Sequence, residues 1–240
     1  MRFLYMTICA FMFLLPGCSG HTVLTEEEHR YIETHIVNWA ADENFQPFIF
    51  MENGVPKGMA VDYLDLISEK TGLRIRLESS GQITTILGLL RAGSIDMVAA
   101  IRTTPERARY ASFSRPFVYV ELVQLRKTKM PITAGVGNGY AVVNFLEVER
   151  KDLFLVKFDT DEESIKALIN DQIDSVIMDA VAAKMLMKKY NVEFDEVRIP
   201  FEYPLSFAVK KDNAILRNIF DKALTSITPE EHKRIREKWM

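Results

Sequence analysis

Cysteine is nearly absent: the 240-residue chain holds two, Cys9 and Cys18. Cys9 falls inside a leading apolar stretch. With Cys18 alone beyond it, a disulfide framework is excluded for the rest of the chain. Histidine is scarce too. His21, His29, His35 and His232 are scattered without ligand spacing, so no metal site is expected. There is no excess of positive charge. The net charge of −3 argues against a nucleic-acid partner, because neutralising phosphates takes a basic face. No repeat period, low-complexity tract, P-loop or dinucleotide fingerprint is present. No Ser-His-Asp or Cys-His arrangement is present either, so no cofactor is expected. What is present is 48% hydrophobic residues, enough for a substantial core in one large domain or two modest lobes.

The long apolar run is confined to the first eighteen residues. Met1-Arg2 supplies a positive start, residues 3–15 are almost wholly apolar, and Pro16-Gly17-Cys18 breaks the run. This reads as a secretory signal too short to span a bilayer. Leu15-Pro16-Gly17-Cys18 resembles a lipobox, with Leu at −3 and Gly at −1, although Pro16 departs from the usual residue at −2. Cys18 is therefore the expected lipidation site. The expected location is the periplasm or the outer face of a bacterial membrane, held by the lipid anchor alone.

Beyond the signal, strands and helices alternate. Thr25 and Glu28 form a capping box that opens a short helix to Thr34. A strand is expected over 36–40. Val61, Leu64 and Ile67 then mark a helix that Gly72 is placed to end. Leu73, Ile75 and Leu77 alternate as a strand. Ile83, Ile86, Leu87 and Leu90 line a helix closed by Gly93, and 96–101 is a buried strand. A second set follows: a helix opening over 139–148, a strand over 153–158, a second capping box at Thr160 and Glu163, a strand over 175–178 and a helix over 179–190. The chain ends with a strand over 205–209, a helix over 213–227, and a last helix opened by Thr228-Pro229-Glu230-Glu231. Two such sets predict an α/β protein of two lobes with a ligand cleft beyond the carboxyl ends of the strands.

Thr103-Thr104-Pro105-Glu106-Arg107, followed by Phe113-Ser114-Arg115-Pro116-Phe117, resembles the family of periplasmic amino-acid-type solute-binding proteins. Asn44-Phe45-Gln46-Pro47-Phe48, Leu90-Arg91-Ala92-Gly93-Ser94-Ile95-Asp96, Gly139-Tyr140-Ala141 and Ile173-Asp174 through Asp179 extend the likeness over about 36–240. Thr25-Glu26-Glu27-Glu28 and the closing Lys238-Trp239 look like the versions fused to sensor kinases. The resemblance implies a two-lobed, type II periplasmic-binding-protein-like fold, with open sheets, a ligand cleft and two crossover strands near 117–122 and 199–206. The expected organisation is a signal over 1–18 and a tether with a short helix over 19–35. Lobe 1 follows over 36–118, lobe 2 with the crossovers over 119–199, and a return to lobe 1 over 200–240.

The resemblance also assigns roles. Arg107, in a turn opened by Thr104 and Pro105, grips a ligand carboxylate with its planar guanidinium. Asp179 holds the ligand ammonium, Phe45 packs on the ligand, and Asp42 shares its loop. Gly139 and Tyr140 precede a helix whose amides take the carboxylate from the second lobe. Position 102 departs from the family pattern: Arg102 stands where a small hydroxyl residue is usual. Beside Arg107 it suggests a ligand that carries an additional acidic group or lacks an amine, unless Asp42 or Asp179 neutralises it. A second departure is the short stretch over 127–136. The expected function is capture of a small carboxylate-bearing solute, an amino acid or related organic acid. The expected partner is an ABC-type importer or a membrane sensor, and the chain is expected to be a monomer. The alternative is an enzyme: the scaffold also resembles cyclohexadienyl dehydratases, for which Glu121 and Glu202 are the candidate acids.

Overall fold

A computed structural model describes residues 22–240. The signal and Cys18 lie outside these residues, as does His21. Helix α1 (Glu26–Thr34) precedes strand β1 (Val37–Asp42) and a small antiparallel sheet of β2 (Asn44–Phe45), β3 (Ile49–Glu52) and β4 (Val55–Lys57). Then come α2 (Met59–Thr71), β5 (Ile75–Gly81), α3 (Ile83–Arg91), β6 (Met97–Ile101), a 3-10 turn (Arg107–Arg109) and β7 (Ala111–Phe113). The middle of the chain forms β8 (Val118–Arg126), β9 (Thr133–Gly137), α4 (Val142–Glu149), β10 (Phe154–Phe158), α5 (Asp161–Ile169), β11 (Ser175–Asp179) and α6 (Ala180–Tyr190). Strand β12 (Asp195–Lys210), α7 (Ala214–Ser226) and α8 (Pro229–Trp239) complete it.

The main sheet runs β10-β9-β11-β8-β12-β6-β1-β5, with β7 also on β12. β12 joins its two halves. Residues 195–199 pair with β8 beside β11, whereas residues 206–210 pair with β6 and β7. The β8–β12 register breaks between Ile199 and Tyr203, and there the sheet passes from one half to the other. Each half is an open α/β sheet with parallel neighbours, so the two-lobed α/β expectation holds.

The helix boundaries follow from the capping residues. Thr25 and Glu28 form the reciprocal box, as do Thr228 and Glu231, the latter with Pro229 in the first turn. Gly72 ends α2 at φ 77°, in the left-handed region where a Cβ would be strained. The third box is only half made. Thr160 accepts from the Glu163 amide, but the Glu163 carboxylate takes the Asp159 amide instead. Apolar faces close the core. Tyr63, Phe48, Phe207 and Phe220 are fully buried, with Phe207 stacked on Phe220 at 4.9 Å. One buried cluster runs from α2 and β1 through β8 and β12 into β9 and α4. The two halves are thus packed against each other and not merely tethered.

Candidate functional site

In open α/β sheets the carboxyl ends of parallel strands carry the residues that meet ligands, because the loops leave the sheet there. Asp42 ends β1, Arg102 follows β6, Tyr140 follows β9, Asp161 follows β10 and Asp179 ends β11. Gly81 ends β5, just before Ile83 opens α3. All these strand ends converge on one cleft between the two halves of the sheet.

Arg107 stands at its centre and is buried, 6% exposed. The turn that carries it is built as the local sequence requires. Thr104 Oγ1 accepts from the Arg107 amide at 3.2 Å and Thr104 O from the Ala108 amide at 2.9 Å. Thr104 thereby shapes the turn that carries Arg107. The guanidinium donates from Nη1 to Arg102 O and from Nη2 to Gly139 O, both at 2.8 Å. Gly139 belongs to the opposite half, so this bond spans the cleft. A guanidinium has five N–H groups, and three remain for another partner.

Gly139 has φ 74°, and an added Cβ there would lie 2.7 Å from Thr84 Cγ2 and 3.1 Å from Ile83 Cγ2. Only glycine permits this approach of the two halves. Tyr140 then projects into the cleft. Its ring meets Phe45 edge-on at 5.3 Å between centroids. Together with Asp42, Ile83, Arg102, Arg107 and Tyr203 these rings leave a cavity of about 10 Å³, about the space one water needs.

Three acids lie at the same strand ends, Asp42 on the Arg107 half and Asp161 and Asp179 on the opposite half. Asp42, Asp161 and Asp179 are all buried. Asp42 accepts the Asn44 amide at 3.0 Å, and Asp179 accepts the Ala182 amide at 2.7 Å as the cap of α6. Burial pushes Asp42 up to about 6 and Asp179 up to about 7. Asp161 is raised well above the carboxylate range by burial, then by the charges of Asp179 and Asp42. Asp161 Oδ2 and Asp179 Oδ2 are buried without a hydrogen-bond partner. Such groups are uncommon in folded proteins and call for a reason.

Arg102 is not neutralised by Asp42 or Asp179: among the described residues no ion pair joins it to either. Its guanidinium lies 3.8 Å over the Phe201 ring and 5.6 Å from Tyr203. Phe201 in turn stacks on Phe145 of α4 at 4.2 Å. Arg102 is thus drawn to the crossover strand. The candidate acids of the enzyme reading are also elsewhere. Glu121 and Glu202 are exposed, Glu121 pairs with Arg198 at 2.8 Å, and neither lines the cleft cavity.

The fold thus brings Asp42, Phe45, Arg102, Thr104, Arg107, Gly139, Tyr140 and Asp179 to one cleft. Sequence reasoning missed four residues there. Asp161 reads as an ordinary first-turn acid, which a helix dipole favours anywhere. Tyr203 and Phe201 read as crossover residues, and their facing depends on the register break in β12. Ala100, which lines the cavity at φ 53°, gave no signal at all.

Comparison with known proteins agrees with this geometry. Virulence sensor protein BvgS of Bordetella pertussis is 23% identical over 235 residues, covering 92% of this chain but only 19% of its own length. The probable amino-acid-binding protein YxeM of Bacillus subtilis is 21% identical over 255 residues, covering 98% of this chain and 93% of its own length. The crystal structure of the periplasmic VFT2 domain of B. pertussis BvgS superposes with a TM-score of 0.82 at 22% identity, over 92% of this chain and all of that domain. The relatives are binding and sensor proteins, and none of these comparisons supports the dehydratase alternative. The sequence profile of the bacterial extracellular solute-binding proteins, family 3, matches residues 37–240, and the chain belongs to that family.

Proposed function

We propose that this protein is an extracytoplasmic solute-binding domain that clamps a small amino acid between its two lobes. The observation that carries the reading is the buried Arg107. It has three uncommitted N–H groups at a cleft whose opposite wall holds Asp179 with an unpartnered carboxylate oxygen. A carboxylate on Arg107 and an ammonium on Asp179 would satisfy both. Phe45 would pack on the solute and Asp42 would flank it. The amino-acid-binding name of YxeM agrees with this chemistry.

Delivery is to an ABC-type importer or to a membrane sensor. The BvgS relatives favour the sensor, although this chain spans under a fifth of them. The location we propose is outside the cytoplasmic membrane, with Cys18 as the lipid anchor and the monomer as the working form.

The test is a calorimetric panel of the common amino acids, preceded by mass spectrometry of small molecules released from protein purified without denaturation. An amino acid should be released and should rebind. Arg107→Ala should weaken every carboxylate ligand by about a hundredfold, as expected for a lost charge-assisted pair of bonds. Unchanged affinity in that variant would refute the assignment.

A further inference from the structure

In the proposed reading, Arg107 and Phe45 are the groups of one lobe that receive the solute. One short segment of the other half already meets both. Gly139 O accepts from Arg107 Nη2 at 2.8 Å, as a solute carboxylate would. The next residue, Tyr140, sets its ring edge-on against Phe45 at 5.3 Å, as the body of a solute would. The space left among Asp42, Phe45, Arg102, Arg107, Tyr140 and Tyr203 is about 10 Å³, room for one water and for no amino acid.

The local chain is shaped to put the segment there. An added Cβ at Gly137 would lie 2.5 Å from Cδ2 and Cε2 of Tyr140, so the glycine at 137 leaves the ring its place. The Tyr140 amide donates back to Gly137 O at 3.2 Å, and the Val143 amide donates to Tyr140 O at 3.1 Å, which fixes the turn ahead of α4. Gly139, at φ 74°, then brings the main chain against Thr84 and Ile83 of the opposite half. We propose that Gly139-Tyr140 is an internal occupant of the cleft, and that Tyr140 is the gate that sets solute affinity. The inference rests on the amino-acid reading above and deepens it. A solute binds by displacing the Tyr140 ring from Phe45 and Gly139 O from Arg107.

The internal occupant is an incomplete substitute. It gives Arg107 an acceptor and Phe45 a ring, but it brings no cation to Asp179, whose Oδ2 has no hydrogen-bond partner. An amino acid brings all three, and that is its advantage over the segment. The measured affinity is then the intrinsic affinity reduced by the fraction of molecules whose ring is withdrawn. Truncating Tyr140 removes contacts from the self-occupied state alone, so it strengthens solute binding.

The experiment uses the full chain and Tyr140→Ala, with Tyr140→Phe as the variant that keeps the ring. Small-angle scattering comes first and needs no solute. Tyr140→Ala should show a larger radius of gyration than the unaltered chain, and Tyr140→Phe the same one. The common amino acids are then titrated calorimetrically. Those that bind should bind Tyr140→Ala about tenfold or more tightly than the unaltered chain, and Tyr140→Phe within about threefold of it. Solution NMR with ring-labelled phenylalanine and tyrosine adds a measurement on the unaltered chain, which decides the matter if Tyr140→Ala does not fold. The Phe45–Tyr140 contact should be present without solute and lost at saturation with the tightest-binding amino acid. Weaker binding by Tyr140→Ala would make the ring a contact of the solute and overturn the proposal. A ring contact that survives saturation, or an unchanged radius in Tyr140→Ala, would overturn it as well. In each of these cases amino-acid binding by the unaltered chain would leave the amino-acid reading standing. If no amino acid binds any of the three proteins, that reading fails, and the scattering alone decides whether Tyr140 holds the cleft closed.

Discussion

The two walls of the cleft solve opposite problems. On the Arg107 wall the buried cation is partly satisfied by the chain itself, through Arg102 O and Gly139 O, with three N–H groups left for a ligand. On the facing wall, Asp161 and Asp179 each keep a buried oxygen without a partner. Burying a charge without a partner is costly, and these carboxyls respond by holding protons. The basic wall therefore favours the closed arrangement even before a ligand arrives, whereas the acidic wall has no such cross-cleft bond of its own. Ligand selectivity is thus expected to be written on the acidic wall and closure on the basic one.

Three experiments would break or sharpen that contrast. The largest effect is expected at Gly139. A side chain there meets Thr84 and Ile83 and must adopt φ 74°, so Gly139→Val should keep the lobes apart. Small-angle scattering should show a larger radius of gyration than for the unaltered protein, and affinity should fall by about tenfold or more. An unchanged scattering profile would mean that closure does not pass through this contact.

The next concerns pH. Asp42 and Asp179 titrate at about 6 and about 7 in the folded chain, above their unfolded values. The folded state then binds more protons than the unfolded one. The stability this contributes is fully present near pH 4 and is lost as pH rises through 6 and 7. Asp179→Asn keeps a side chain that can cap α6 but removes the ionisation. Its melting temperature should exceed that of the parent by several degrees at pH 8 and by much less at pH 5. Each kcal/mol moves a domain of this size by roughly 2–4 °C. Burial lowers the His232 pKa, which works in the opposite direction and cancels between the two proteins. A constant offset across this range would contradict the buried-acid account.

The smallest effect belongs to Arg102. Its contact with Phe201 is a half-buried cation–π pair worth about 0.5–1 kcal/mol. Arg102→Ser should therefore weaken all ligands by only about two- to fivefold, whatever their charge. Selective loss of acidic ligands in the same calorimetric panel would restore Arg102 as a second anion-gripping residue.

Much of the architecture was legible in local patterns. Capping residues at Thr25, Thr160 and Thr228 mark helix starts that depend on side chains three residues apart, and helix-spaced apolar residues such as Val61, Leu64 and Ile67 announce a buried face. The small sheet of β2, β3 and β4 went unread because its strands are two to four residues long, too short for a period to show. β9 went unread for another reason. The stretch over 127–136 looked merely short, whereas Thr133–Gly137 pairs with both β10 and β11 and carries two glycines that weaken any strand signal.

The site divides along the same line. The sequence by itself determined the turn at Thr104 and Pro105 that carries Arg107, the glycine at 139 and the aspartate that caps α6, because each is set by bonds within a few residues. Only the tertiary structure decided that Arg102 would lie on Phe201 and that Asp161 would be buried beside Asp42 and Asp179. Those partners are far apart along the chain. Their charges and rings meet only where separate strands end at the same cleft, and no local pattern encodes that convergence.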